Sequence, residues 1–168
     1  MKKKFSFKMI LAIVLSLLTV FALCACGSKE SEAAAAPADP TIKMTVDTFK
    51  AKAEAFGLDI PTMQPVKPFG ASDYFVVGKF YNGKVQWQVD YCILINEESA
   101  KLSFENTLAA NMPKGGETQK LSDGAMVYEC TEGNQYGYMY CYGRSLILLN
   151  VELRYKDDAK QFIATLGL

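Results

Sequence analysis

The chain has no histidine, a single tryptophan, and 18 basic residues set against 18 acidic ones. Each shortage removes a class of chemistry. Without imidazole, the commonest general base near neutral pH and the commonest zinc ligand are both missing. The motifs GxSxG, SxxK and HExxH are absent as well. With no basic excess and no basic stripe in the domain to meet a phosphate backbone, nucleic acid is not an expected partner. Gly115-Gly116 lacks the surrounding pattern of a P-loop. Cys92, Cys130 and Cys141 have no CxxC spacing among them, so they read as small buried hydrophobes and not as a redox or metal site. No cofactor and no metal are expected.

What is present begins at the N-terminus. Lys2, Lys3, Lys4 and Lys8 make a positive leader, and Met9 to Leu23 is an apolar run broken only by Ser16 and Thr19. That is the grammar of a signal peptide, and the run is shorter than the roughly 20 apolar residues a spanning helix needs. It stops at Leu23-Cys24-Ala25-Cys26, followed by Gly27, Ser28 and Lys29. The stretch resembles the bacterial lipobox, in which an aliphatic residue and two small ones precede the cysteine that receives lipid. Cys24 is a rival acceptor, but Leu23 directly before it is too large for the small-residue position, so Cys26 is the assignment. A thiolate is the side-chain nucleophile suited to take a diacylglyceryl group as a thioether. Two acyl chains then anchor the protein stably, where one would hold it only marginally.

The organisation that follows is a lipoprotein signal peptide over 1–25, a lipidated cysteine and flexible tether over 26–40, and one globular domain over 41–168. The tether, rich in Ala, Ser, Glu and Pro, has nothing to bury. Loss of the leader takes four lysines and no acidic residue, which leaves 14 basic against 18 acidic residues and a net charge of −4.

Within the domain, Thr45 caps a first amphipathic helix carrying Val46, Phe49, Ala53 and Phe56 at helical spacing and ending at Gly57. Pro61, Pro65 and Pro68 make the next segment an extended connection. Two β-prone runs over 74–95 flank Asn82-Gly83, a pair suited to a type I′ turn, and so predict a hairpin pairing Tyr81 with Lys84, Phe80 with Val85 and Gly78 with Trp87. Asn96, Glu97 and Glu98 open a second helix with Ala100, Phe104 and Leu108 on its apolar line. Runs over 126–131, 136–142 and 146–153 form a three-stranded meander, with Tyr128 opposite Met139 and Cys130 opposite Gly137. Asp157 or Asp158 caps a closing helix through Leu166. The fold class expected is α+β, in the order α-ββ-α-βββ-α, a mainly antiparallel sheet of about five strands with helices packed on one face.

The lipobox, the Ala/Ser-rich tether, the helix TFKAKAEAFGLDI, the SAKLSFENTL helix and the closing helix ending in LGL together resemble a group of small uncharacterised lipoproteins of Gram-positive bacteria. The resemblance implies a domain held on the extracytoplasmic face of the cell membrane through its lipid, and it carries over no site residue beyond Cys26.

Two function classes remain. The first is a noncatalytic binding module for an envelope polymer, a small ligand or a protein partner. Its candidate binding face is the row Tyr136, Tyr138, Tyr140 and Tyr142, which share one side of a regular strand with Ile147, Leu149 and Val151 as neighbours. That row is either a second buried layer or an exposed aromatic patch, and buried packing is the preferred reading because exposed apolar patches are uncommon on monomers. The second class is a small exported hydrolase with a carboxylate-only site drawn from Asp73, Asp90, Asp123, Glu129 and Glu152, two of which would have to come within about 5 Å for a retaining glycosidase. The missing motifs favour the first class, not an enzyme.

Overall fold

A computed structural model describes residues 39–168; the expected signal peptide, Cys26 and nearly all of the expected tether lie outside them. Helix α1, Val46–Phe56, starts where the Thr45 hydroxyl accepts the Thr48 amide at 3.1 Å and stops at Gly57, whose φ of 84° closes the C-terminus. Strands β1 (Ala71–Tyr81) and β2 (Lys84–Leu94) turn at Asn82-Gly83, both with positive φ as a type I′ turn demands. Helix α2, Glu97–Asn111, is capped by the Asn96 side chain, which accepts the Ser99 amide at 2.7 Å. Strands β3 (Thr118–Lys120), β4 (Met126–Glu132), β5 (Gln135–Tyr142) and β6 (Ser145–Glu152) follow. A short 3-10 turn, Leu153–Tyr155, leads into helix α3, Lys156–Leu166.

The six strands form one antiparallel sheet in the order β1-β2-β6-β5-β4-β3. The α+β class and the antiparallel sheet are those the sequence predicts, and β4 and β5 pair in the expected register, Tyr128 with Met139 and Cys130 with Gly137. Strand β3 is additional. Its three residues are exposed and none is strongly apolar, so periodicity carries no trace of it.

The helices do not share one face. Helices α1 and α3 lie on the face built from Trp87, Val89, Tyr91, Ile147 and Leu149, with Phe49 and Phe162 wedged between them and the sheet. Helix α2 covers the other face, where Ala100 and Phe104 meet Cys92, Leu94, Met139, Cys141 and Leu146. The reason is visible in the central strands. Tyr91 to Leu94 and Tyr136 to Cys141 are buried at every position, without alternation, and a strand buried on both sides needs cover on both sides.

Two local expectations also change. The hairpin pairs Tyr81 with Lys84 and Phe80 with Val85 as expected, but a bulge at Gln86 then sets Lys79 opposite Trp87 and Gly78 opposite Gln88. The slip places Val77 beside Val89 in the core under α1. Helix α3 is capped by neither Asp157 nor Asp158: the 3-10 turn delivers the chain at Tyr155, and both carboxylates fall in the first helical turn, where the helix dipole favours them.

Residues 39–45 form a strap across the end of the sheet at which β1 begins and β2 ends. The Thr41 carbonyl accepts the Arg144 amide at 2.7 Å, the Lys43 amide donates to the buried Ser145 hydroxyl at 2.8 Å, and the Met44 carbonyl accepts the Tyr91 hydroxyl. Gly143 makes the close pass possible, since a Cβ there would stand 2.2 Å from the Thr41 oxygen.

Candidate functional site

The tyrosine row is the first candidate to place. Tyr136, Tyr138 and Tyr140 are buried, opposite Val151, Leu149 and Ile147 of β6, and belong to the same apolar cluster as Phe49 and Phe162. They are core beneath α1 and α3, not a binding face. Burial, reinforced by the neighbouring charges of Tyr140 and Glu129, pushes the Tyr138 phenol up to about 12. Burial raises Tyr136 and Tyr140 too, the first with help from Glu129 and the second from Asp123. The Tyr140 hydroxyl finds no hydrogen-bond partner among the described residues. Only Tyr142, half-buried at the end of β5, reaches a surface hollow.

Four of the five candidate carboxylates are held by different neighbours. Asp90 accepts from Tyr74 Oη at 3.1 Å and from Gln88 Nε2 at 3.0 Å, while burial raises its pKa. Glu129 pairs with Lys160 at 2.9 Å, Glu152 with Arg154 at 3.0 Å and Asp123 with Lys43 at 3.5 Å. Asp73 is exposed at the start of β1. No group of three or more His, Cys, Asp or Glu suited to a metal occurs among the described residues. The three cysteines are unpaired, with Cys92 and Cys141 buried and Cys130 half-buried.

What the fold does gather is a polar hollow of about 230 Å³ lined by Pro40, Thr41, Glu97, Lys101, Asp123 and Tyr142. Four distant segments contribute: the strap, the first turns of α2, the loop before β4 and the β5–β6 turn. The Ala125 amide, then the Lys43 ammonium, hold the Asp123 carboxyl below its ordinary range, so it is ionised. Lys43 also stands over the Tyr142 ring, 5.3 Å from its centroid. Glu97 and Lys101 take part in none of the ion pairs among the described residues, so both signs of charge stand ready on one rim. Such a rim can make charge-assisted hydrogen bonds to a polar ligand or side chain. Sequence reasoning marked Tyr142 and Asp123 separately. It missed the hollow because no local pattern connects residues 40, 97, 123 and 142.

A second hollow, of about 320 Å³, lies between the end of α2 and Lys114–Gly116, against Leu108, Ala109 and Tyr128. Its one buried polar group, the Tyr128 hydroxyl, is already satisfied by the Pro113 carbonyl and the Gly116 amide. Glu105 and Lys114 also line it, and the Lys114 ammonium is turned onto the Leu108 and Ala109 carbonyls at the end of α2.

No helix among the described residues is long and apolar enough to cross a membrane. No protein-family model and no curated protein matches the chain.

Proposed function

We propose that the chain is a membrane-anchored lipoprotein of the extracytoplasmic face, whose folded part is a noncatalytic binding module. The observation that carries the reading is Leu23-Cys24-Ala25-Cys26, placed between a lysine-led apolar run and a polar, proline-containing stretch. Two acyl chains on Cys26 would hold the domain at the membrane with no spanning helix. The chain's lack of histidine and of nucleophile motifs, together with four candidate carboxylates that have partners of their own, supports binding over catalysis. The rim of Glu97, Lys101, Asp123 and Tyr142 is the surface best suited to an envelope polymer, a small polar ligand or a protein partner.

Intact-mass analysis of the membrane fraction tests the anchor: the mature chain should begin at Cys26 and carry a diacylglyceryl adduct. Normal processing and membrane retention of a Cys26→Ser variant would overturn the assignment. For the rim, Lys101→Glu should leave folding unchanged and reduce retention of the protein on isolated envelope fragments.

A further inference from the structure

The connection between α1 and β1 carries three of the most exposed apolar side chains of the described domain. Met63 is 85% exposed, Val66 93% and Phe69 106%, at a spacing of three residues. Pro61, Pro65 and Pro68 interleave with them, and the segment contains neither helix nor strand. Met63 stands in a bend and Phe69 in a turn at the two ends of this irregular stretch, with Val66 between them, and all three side chains project into solvent. The strip is held in place. Gln64 clasps the outer edge of β1, its Oε1 accepting the Val76 amide at 2.8 Å and its Nε2 donating to the Val76 carbonyl at 3.2 Å. Asp59 bridges to Gly78 through two backbone bonds, and Lys67 Nζ donates to the Ser72 carbonyl at 2.9 Å.

We infer that Met63, Val66 and Phe69 form a lipid-contacting strip that seats the domain on the bilayer to which Cys26 anchors it; this rests on the lipoprotein reading above. Four observations point to lipid. The strip runs along β1 to the end of the sheet where the chain enters the domain, for Arg144 ties Asp39 at 2.9 Å and Ser72 at 3.2 Å, and the Gly70 carbonyl accepts the amide of exposed Ile95 at 3.0 Å. Twelve residues separate Cys26 from Asp39, so a lipidated Cys26 would tether the domain by that end, within about 45 Å of the bilayer. Residues 60–70 contain one lysine and no carboxylate, although the mature chain is net acidic. Finally, three prolines remove three N–H donors, and the Pro61, Pro68 and Gly70 carbonyls are already accepting hydrogen bonds, which lowers the cost of pressing irregular backbone into the headgroup boundary. A second copy is a poorer occupant, because Asp59 and Gln64 already pair the β1 edge that another strand would need.

The test uses the mature lipoprotein reconstituted into phosphatidylcholine vesicles with brominated acyl chains. A Phe69→Trp variant places an indole on the strip; Tyr81→Trp places one at the opposite end of the same strand, and native Trp87 is a buried background common to both. Bromine should quench the Phe69→Trp emission and leave that of Tyr81→Trp unchanged. Because the contact is apolar, the quenching should persist when the salt concentration is raised. Mass analysis of the same sample reads the anchor separately. A diacylglyceryl adduct with no quenching overturns the lipid strip alone, whereas absence of the adduct overturns the strip and the anchor together. An unquenched strip in a protein that dimerises, with the dimer lost on Phe69→Ser, would assign the surface to a second copy and overturn the proposal.

Discussion

Arg144 and Asp39, 105 positions apart, form an ion pair of 2.9 Å that fastens the first described residue to the β5–β6 turn. The same guanidinium donates to the Leu94 carbonyl at 2.7 Å and the Ser72 hydroxyl at 3.2 Å, so one side chain joins the strap, β1 and β2. A lysine keeps the charge but cannot hold three acceptors in a fixed plane. Arg144→Lys should therefore destabilise by about 1–3 kcal/mol, measured by urea unfolding. Asp39→Asn should cost less than Arg144→Lys in the same measurement, because that pair is partly exposed and Arg144 retains its other acceptors.

Two buried phenols offer a matched comparison. The Tyr91 hydroxyl donates to the Met44 carbonyl and lies 3.2 Å from Ser145 Oγ, whereas the Tyr140 hydroxyl is buried without a partner among the described residues. Tyr91→Phe should lose about 1–3 kcal/mol by stranding the Met44 acceptor. Tyr140→Phe should be neutral or stabilising, by up to about 1 kcal/mol, since it removes a desolvated group that gains nothing. A large loss at Tyr140→Phe would show that the hydroxyl is paired.

Trp87 is buried at the bulge between β1 and β2, within the cluster of Val77 and Val89. Trp87→Ala should cost about 3–5 kcal/mol in chemical denaturation. A loss of less than about 1 kcal/mol, the range of surface substitutions, would contradict its placement.

Cysteine labelling separates the three thiols. In the native protein a maleimide should modify Cys130 first, and Cys92 and Cys141 only on unfolding, because those two are buried. Burial also pushes the Cys92 thiol up to about 12 and the Cys141 thiol up to about 11, so both are protonated at neutral pH.

The same shifts set an alkaline limit. The ordinary thiol value is 9.0, so the unfolded chain gives up these protons first. Stability from Cys92 and Cys141 is fully present below pH 9.0 and is lost as pH rises toward about 12. Tyr138, raised from 10.0 to about 12, acts in the same direction. Urea midpoints should fall across that window, and less steeply in a Cys92→Ala variant. A flat profile would contradict the burial.

Much of the architecture was legible from residues that act locally. Thr45 and Asn96 cap their helices because a side-chain oxygen three residues ahead of an amide can satisfy it wherever the helix later packs. Asn82-Gly83 tolerates positive φ by its own chemistry, and a tight turn at Gly133-Asn134 sets the register of β4 on β5. Other outcomes needed the assembled chain. Alternation places Tyr136, Tyr138 and Tyr140 on one side of β5, but whether that side meets water or helices depends on where α1 and α3 settle, more than 70 residues apart in sequence. The bulge at Gln86 is a one-residue slip that propensity does not register, yet it exchanges the partner of every residue from Asp73 to Lys79 on β1. The hollow beside Tyr142 exists only because Gly143 lets the strap lie against the turn and bring Thr41 to Asp123 and Lys101. From local pattern alone came most of the segments, the caps at Thr45 and Asn96 and the hairpin turns, since each depends on neighbours along the chain. The tertiary structure alone decided which faces are covered and which charges meet, because those depend on contacts between segments that share no local pattern.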